Sequence, residues 1–190
     1  MKIAITGGIG SGKSYVCDIL RQDFGIEVYD CDAAAKRLMR DSGALRAVLT
    51  TLVGKEVYIG RVLQKRVLAQ FLLASEANKQ AVNDVVHPAV ARDFEQSGLD
   101  WLESAILFDS GFSRRTHFDR VVCVTAPLEI RITRVMDRDG ITRQKALEWI
   151  ASQLPQEEVV RRSDYVVLND GEHELWSQIK KIVNQSYSKS

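Results

Sequence analysis

Short apolar runs alternate along this chain with longer stretches in which apolar residues recur every three or four positions. Such short runs are typical of strands buried in a parallel sheet, and the longer spacing is typical of amphipathic helices. Strands are predicted at 2–6, 26–29, 105–108, 121–124 and 165–168. Helices are predicted from residue 13 and at 33–98, 128–138, 142–154 and 172–187. The alternation predicts an α/β fold, with a parallel five-stranded sheet covered by helices on both faces.

The most informative motif lies between the first predicted strand and the first predicted helix. Residues 7–14 satisfy the G-x-x-x-x-G-K-[ST] pattern of a phosphate-binding loop. Its glycines let backbone N–H groups approach an anion, and the start of the helix adds positive potential. Lys13 is suited to the β- and γ-phosphates, and the Ser14 hydroxyl is suited to Mg²⁺. The motif predicts a bound nucleoside triphosphate with Mg²⁺, because a chance glycine-rich turn does not explain the flanking strand and helix.

Composition excludes several classes of protein. The 190 residues include 26 basic and 25 acidic side chains, so the net charge gives no general attraction to nucleic acid or to a membrane surface. No apolar run approaches the ~18 residues of a membrane span, and no signal peptide is evident. The three cysteines lack metal-ligand spacing and are typical of a reduced compartment. We expect a cytoplasmic protein with no nucleic-acid or membrane partner and no evident protein partner.

Two aspartates, Asp30 and Asp32, follow the second predicted strand. On extended backbone, residues two apart face the same way, and ligands of parallel sheets gather beyond the carboxyl ends of strands. Asp32 could therefore accept a proton from an attacking hydroxyl, while Asp30 holds a water of the Mg²⁺ shell. Alternatively, Asp32 is the N-cap of the helix that begins at Ala33. The spacing leaves both interpretations open.

Three further polar residues have two interpretations each. Asp109 follows the predicted strand 105–108 and could orient Mg²⁺ through water, or it could belong to a turn. Asn169 follows the last predicted strand and is first a turn residue, although at a strand end it could border the adenine. His87 has no other zinc ligands nearby, which favours a packed histidine over a metal ligand.

Arginines at 131, 134 and 138 form one stripe on the predicted helix 128–138. The helix ends in a turn, and two helices meeting there could form a lid that closes on polyphosphate. For Arg131 we favour a solvated position paired with Glu129 or Asp137. The positions of Arg134 and Arg138 near the turn favour contact with phosphates.

Several segments together resemble the dephospho-coenzyme A kinase family nearly end to end. The loop alone is shared by many nucleoside triphosphate enzymes, whereas the ordered set is far more specific. The matching segments are 6–14, 29–32, 83–90, 107–111, 134–140, 153–155 and 163–169. The resemblance implies a P-loop kinase fold with a helical substrate-binding insertion and a helical lid.

The resemblance also implies how the chain is divided. The core would comprise residues from about 1–32, 99–134 and 160–190. A helical coenzyme A-binding insertion would cover about 33–98, and the lid would cover about 135–159.

The reaction implied is transfer of phosphate from ATP, with Mg²⁺, to the ribose 3′-hydroxyl of dephospho-CoA, the last step of coenzyme A biosynthesis. Asp32 would be the general base, Arg138 the lid arginine on the phosphates, and Lys13 the third catalytic residue. The residues expected to bind ATP are Gly8, Ile9, Gly10, Ser11, Gly12, Lys13, Ser14, Tyr15, Arg134, Arg138 and Asn169. Those expected to bind the substrate are Asp32, His87 and Asp109. Mg²⁺ would be held by Ser14, with Asp30 and Asp109 acting through water.

The chain departs from the family pattern at five positions, of which the last two replace basic residues. They are Tyr15, Ala105, Asp109, Trp149 and Val159. Another nucleoside or nucleotide kinase would share the loop, the acid and the lid. A GTP-dependent switch protein would need an Asn-Lys-x-Asp motif, and residues 78–81 lack its acid. A nucleic-acid-binding ATPase would need a basic surface, which the charge balance does not support.

Overall fold

The computed structural model describes residues 1–187, and its contacts divide the chain into two units. One unit is formed by Met1–Tyr29 with the described residues from Leu99 onward, and the other by Asp30–Gly98. The strands are β1 (Ile3–Thr6), β2 (Val28–Asp30), β3 (Tyr58–Ile59), β4 (Val62–Leu63), β5 (Trp101–Glu103), β6 (Arg120–Thr125) and β7 (Tyr165–Leu168). The helices are α1 (Lys13–Phe24), α2 (Cys31–Asp41), α3 (Gly43–Val53), α4 (Lys65–Ala74), α5 (Glu76–Ser97), α6 (Leu128–Asp139), α7 (Arg143–Ala151), α8 (Gln156–Arg161) and α9 (Leu175–Tyr187).

The five-stranded sheet has the order β2-β5-β1-β6-β7, which places β1 at its centre. The pairs β1–β5, β1–β6 and β6–β7 are parallel. All four residues of β1 are buried, as expected for a central strand covered on both faces. Apolar residues of α1 and α9 pack with the strands in one core cluster: Val16, Leu20, Ile179, Ile182 and Val183. The loop after β1 thus leaves the middle of the sheet, where ligands of parallel α/β folds bind.

The predicted five-stranded α/β fold is confirmed, but one strand lies elsewhere. The run at 105–108 forms a turn, and the strand is β5, at Trp101–Glu103. Leu107 of the run is fully buried, whereas Ile106 is 38% exposed. A short apolar run does not by itself distinguish a strand from a buried turn. The predicted strand 26–29 is observed as Val28–Asp30.

The unit Asp30–Gly98 is built around the long helix α5, against which α2, α3 and α4 pack. Its buried residues include Leu45, Leu49, Leu68, Val86 and Phe94. The prediction that this block is almost entirely helical missed the antiparallel hairpin of β3 and β4. Gly60, at the hairpin turn, has φ of +61°, a conformation that favours glycine.

The chain after β6 is mainly helical, with β7 between α8 and α9. Helices α6 and α7 pack together through a small apolar cluster centred on Ile132, Val135 and Ala146. The short helix α8 was not predicted, and the last helix begins at Leu175, three residues after the predicted start at 172. Among the described residues, no helix is both long enough and apolar enough to cross a membrane.

Candidate active site

The loop that joins β1 to α1 covers residues 7–12 and is backed closely by side chains. Gly12 has φ of +91°, which L side chains rarely adopt, and a Cβ there would lie 2.0 Å from the Asn169 amide nitrogen. A Cβ at Gly8 would lie 2.2 Å from a guanidinium nitrogen of Arg131. Gly12 therefore requires glycine for its backbone conformation, and the absence of a side chain at Gly8 leaves room for the Arg131 guanidinium.

The first turn of α1 supplies uncapped backbone N–H groups. The N-cap is Gly12, and no side chain in the described part of the chain caps this helix. The first N–H groups of a helix lack intrahelical acceptors and carry the positive end of its dipole. Ser14 and Tyr15 are exposed beside them. This turn is a set of donors of the kind that binds phosphate.

Lys13 is a buried cation held against the loop. The residue is 8% exposed, and its Nζ donates to the Gly8 carbonyl at 3.3 Å. The Glu103 carboxylate lies 3.9 Å from the same nitrogen. Burial lowers the pKa of the Lys13 ammonium, and the Glu103 charge opposes that shift. Lys13 is thus positioned to serve an anion bound in the loop.

Glu103 is an acidic residue of the site that sequence analysis missed. It is the last residue of β5 and lies in register with Ile5 of β1, which places its carboxylate at the strand end beside Lys13. The signal in the sequence was an acid directly after the apolar pair Trp101-Leu102. The strand was predicted at 105–108 instead, because that run is longer and contains only apolar residues.

Asp109 does not end a strand, contrary to the prediction. It is exposed within a turn region, and its carboxylate accepts a hydrogen bond from the Leu154 backbone N–H at 3.1 Å. The geometry therefore favours the turn interpretation. Its contacts with substrate and with a Mg²⁺-bound water stay predictions.

Arg134 and Asn169 together hold the loop from the side of α6 and β7. The Arg134 guanidinium donates to the carbonyls of Gly10 and Ser11 at 3.4 and 3.3 Å, and to the Asn169 side-chain oxygen at 3.2 Å. The Asn169 amide nitrogen donates to the Ser11 carbonyl at 2.9 Å, and the residue is 6% exposed. Both were predicted to bind ATP, and both contact the loop backbone. Contact with the nucleotide itself stays a prediction.

Gln153 also contacts the loop. This residue lies in a segment that resembles the family, but the sequence did not predict the contact. Its side-chain oxygen accepts a hydrogen bond from the Ile9 backbone N–H at 2.7 Å. The loop is therefore held by the segment after α7 as well as by α6.

Arg131 is buried, and the prediction of a solvated position was wrong. The residue is 5% exposed, and its Nε donates to the Ile9 carbonyl at 2.9 Å. Glu129, one of its two predicted partners, instead binds Arg143 through two hydrogen bonds of 2.8 Å. The other, Asp137, is exposed on the same helix. Arg131, the first arginine of the stripe, therefore contacts the phosphate loop rather than solvent.

Arg138 lies at the last turn of α6 and is largely exposed. Its guanidinium binds the adjacent Asp139 carboxylate, with a shortest distance of 2.7 Å. That hydrogen bond raises the pKa of Arg138. Its charge also acts on Lys13, where it adds to the lowering of the pKa that burial causes. Arg138 is thus within electrostatic reach of the loop and is not buried in it.

The aspartates of the helical unit differ from their predicted geometry. Asp30, not Asp32, caps α2, because its carboxylate accepts a hydrogen bond from the Ala33 backbone N–H at 2.9 Å. The helix already begins at Cys31, so the two aspartates do not share extended backbone. The Asp32 side chain is 90% exposed and lies 3.8 Å from the Lys36 ammonium. The capping interpretation of Asp32 is wrong, and its carboxylate is available for another role.

His87 lies inside α5, directly before Pro88, and is half-buried. No cluster of three or more potential metal ligands of the types His, Cys, Asp and Glu occurs within residues 1–187. The contact of His87 with substrate stays a prediction.

The fold and the loop define a kinase of the P-loop class. A solved structure from Thermus thermophilus aligns with this chain with a TM-score of 0.84 and 34% sequence identity. The alignment covers 98% of this chain and 97% of the Thermus thermophilus chain. Shikimate kinase from Acinetobacter baumannii has the same fold, with a TM-score of 0.60 and 14% sequence identity. That alignment covers 100% of this chain and 94% of the shikimate kinase chain. Membership of this kinase class implies the use of ATP.

The sequence comparisons identify the family. The family model described as Dephospho-CoA kinase matches residues 1–174. A relative from Bacteroides fragilis, named dephospho-CoA kinase, is 40% identical over 196 aligned residues, which cover 100% of this chain and 94% of the relative. The chain belongs to the dephospho-CoA kinase family.

Proposed function

We propose that this protein transfers the γ-phosphoryl group of ATP to the ribose 3′-hydroxyl of dephospho-CoA, giving coenzyme A and ADP. The observation that carries this proposal is the combination of full-length similarity to dephospho-CoA kinases with an intact phosphate loop. A cytoplasmic location and the lack of a protein partner stay predictions.

The loop residues supply binding and charge neutralisation. The uncapped N–H groups of the first turn of α1 would bind phosphate oxygens, and Lys13 would neutralise charge on the β- and γ-phosphates. Phosphoryl transfer needs little covalent help from the protein, so positioning and electrostatic stabilisation provide most of the rate. The contacts of Arg134, Asn169 and Gln153 with the loop backbone keep these donors in place.

The residues present fit Mg²⁺ as an ion held mainly by the nucleotide. Mg²⁺ is usually bound through substrate phosphates and few protein oxygens, and the exposed Ser14 hydroxyl at the first turn of α1 is such an oxygen. The ion would neutralise charge on the β- and γ-phosphates. Asp30 and Asp109 remain proposed partners of its bound waters, although Asp30 is already engaged as the cap of α2.

Asp32 is the proposed general base, with His87 and Asp109 as proposed substrate contacts. Supporting Asp32 is its exposed carboxylate, which helix capping does not use. The proposed coenzyme A-binding insertion, about 33–98, lies within the helical unit Asp30–Gly98. The segment from about 135 to 159 is the proposed lid.

Replacing Arg138 with alanine should lower kcat about 10²-fold, with a much smaller effect on the dissociation constant for ATP. The exposed guanidinium, at the end of α6, would reach developing charge only when the lid closes. Steady-state kinetics and ATP titration would test this. Arg21→Ala is a control outside the proposed lid, because Arg21 binds Asp18 on the surface of α1. Tenfold weaker ATP binding with unchanged kcat would make Arg138 a simple binding residue.

A coupled assay of ADP release would test the proposed reaction. Dephospho-CoA should support turnover, whereas a panel of nucleosides and nucleoside monophosphates should support little. The position of the new phosphate would be read by ³¹P NMR of the product. Faster turnover with any member of the panel would favour the alternative of another nucleoside or nucleotide kinase.

A further inference from the structure

Two cations are buried beside the phosphate loop, and one of them has no assigned role. Lys13 comes from α1 and is 8% exposed, and Arg131 comes from α6 and is 5% exposed. Removing a charge from water is costly unless an opposite charge compensates it. Lys13 has the Glu103 carboxylate at 3.9 Å. The Arg131 guanidinium has no such carboxylate nearby among the described residues.

The contacts of Arg131 lie on the loop itself. Its Nε donates to the Ile9 carbonyl, and its guanidinium lies so close to Gly8 that any Cβ there would collide with it. No carboxylate of the described residues lies within 4.0 Å of the guanidinium, and Glu157 acts on it only from farther away. A single backbone carbonyl satisfies one of the five guanidinium N–H donors and supplies no negative charge.

The surroundings of Arg131 are correspondingly unfavourable for a cation. Burial lowers the pKa of the Arg131 guanidinium. The Arg131 charge also adds to the lowering of the Lys13 pKa that burial causes, so the two cations repel each other. An anion in the loop would be attracted to both and would relieve that repulsion.

We propose that Arg131 is a positioning residue for the triphosphate, holding Gly8 and Ile9 from behind while its buried charge is compensated by the bound phosphates. This inference rests on the proposed use of ATP and is independent of the identity of the acceptor. In the nucleotide-free protein, burial of the Arg131 charge destabilises the folded state. Binding of a polyphosphate would remove that destabilisation, because the phosphate charges compensate the guanidinium.

The test compares Arg131→Gln and Arg131→Lys with the wild-type protein by calorimetric titration of ATP and AMP, both with Mg²⁺ and without acceptor. Arg131→Gln should weaken ATP binding about tenfold, because one buried interaction with a charged group has about this strength. AMP lacks the β- and γ-phosphates and should bind as before. Arg131→Lys should recover much of the ATP affinity, since it keeps the charge.

Thermal unfolding separates this role from a purely structural one. The Tm of nucleotide-free Arg131→Gln should equal or exceed that of the wild type, because a buried, poorly compensated charge is removed. Its stabilisation by ATP should be smaller than that of the wild type. Arg21→Gln is the matched control: it removes one positive charge from a surface pair with Asp18 and should change neither quantity.

Equal loss of ATP and AMP affinity, a lowered Tm of the nucleotide-free protein, or failure of Arg131→Lys to recover binding would each overturn the proposal. So would unchanged ATP affinity in Arg131→Gln. Wild-type protein that binds ATP but does not phosphorylate dephospho-CoA would refute the proposed acceptor and leave this inference standing. Wild-type protein that does not bind ATP would refute both.

Discussion

Replacing Lys13 with methionine is expected to lower kcat about 10³-fold while the protein remains folded. The Lys13 Nζ lies 3.3 Å from the Gly8 carbonyl and is held there by the fold, so the charge is in place before the nucleotide binds. Methionine keeps a long apolar stem in the same space and removes a buried ammonium whose pKa burial already lowers. The Tm should fall, because the Glu103 carboxylate loses the charge that compensates it, although removal of the buried ammonium offsets part of that loss.

Turnover with dephospho-CoA, ATP titration and thermal unfolding would be measured on the same preparation. Lys180→Met is the matched control, because Lys180 is exposed on α9 and lies over the Trp176 ring. That variant should retain wild-type turnover. A folded Lys13→Met enzyme with turnover within about tenfold of wild type would remove Lys13 from the mechanism.

The loop could be predicted from the sequence because its requirements are local. A strand, a run of glycines and a helix follow one another within residues 3–24, and each is determined by neighbours in the chain. The glycine pattern also anticipated the close approach of other groups. Which groups those are could not be predicted, because Asn169 reaches the Ser11 carbonyl from 158 positions away in the sequence.

The position of β5 shows where pattern alone fails. The run at 105–108 is more apolar than Trp101–Glu103, yet the strand is the latter. Glu103 interrupts the apolar pattern, and a polar residue at the end of a buried strand is unfavourable in isolation. The Lys13 ammonium 3.9 Å away compensates it, and that long-range contact is invisible in the pattern.

Arg131 was misplaced for a related reason. A stripe of arginines on an amphipathic helix is typical of a solvated face, and the sequence offered two acidic partners on the same helix. The structure uses the Ile9 carbonyl instead, 122 positions away. Burial of an arginine against a loop backbone depends on tertiary packing, so helix spacing cannot predict it.

The second large effect is expected for Asp32, whose carboxylate does not cap α2 in the structure. As a general base, Asp32 must accept the proton of the attacking hydroxyl, so Asp32→Asn should lower phosphoryl transfer about 10³-fold. The dissociation constant for ATP should stay close to that of the wild type, because the phosphate loop is unaltered. Single-turnover kinetics with saturating ATP would measure the transfer step directly.

Stability should barely change in Asp32→Asn. The side chain is 90% exposed, and its interaction with Lys36 spans 3.8 Å at the surface of α2. Exposed pairs of this kind contribute little. Lost activity in a variant with unchanged Tm could not then be attributed to unfolding of the helix.

Asp30 provides the neighbouring control, since it is the residue that caps α2. Asparagine caps a helix nearly as well as aspartate, so Asp30→Asn should keep both the Tm and most of the activity if capping is its main role. Asp30→Ala should destabilise the protein by about 1 kcal/mol through loss of the cap. A large loss of kcat in Asp30→Asn, with full activity in Asp32→Asn, would transfer the role of base from Asp32 to Asp30. Full activity in both variants would place the base elsewhere, and we expect neither outcome, because Asp30 is engaged in capping while the Asp32 carboxylate is exposed.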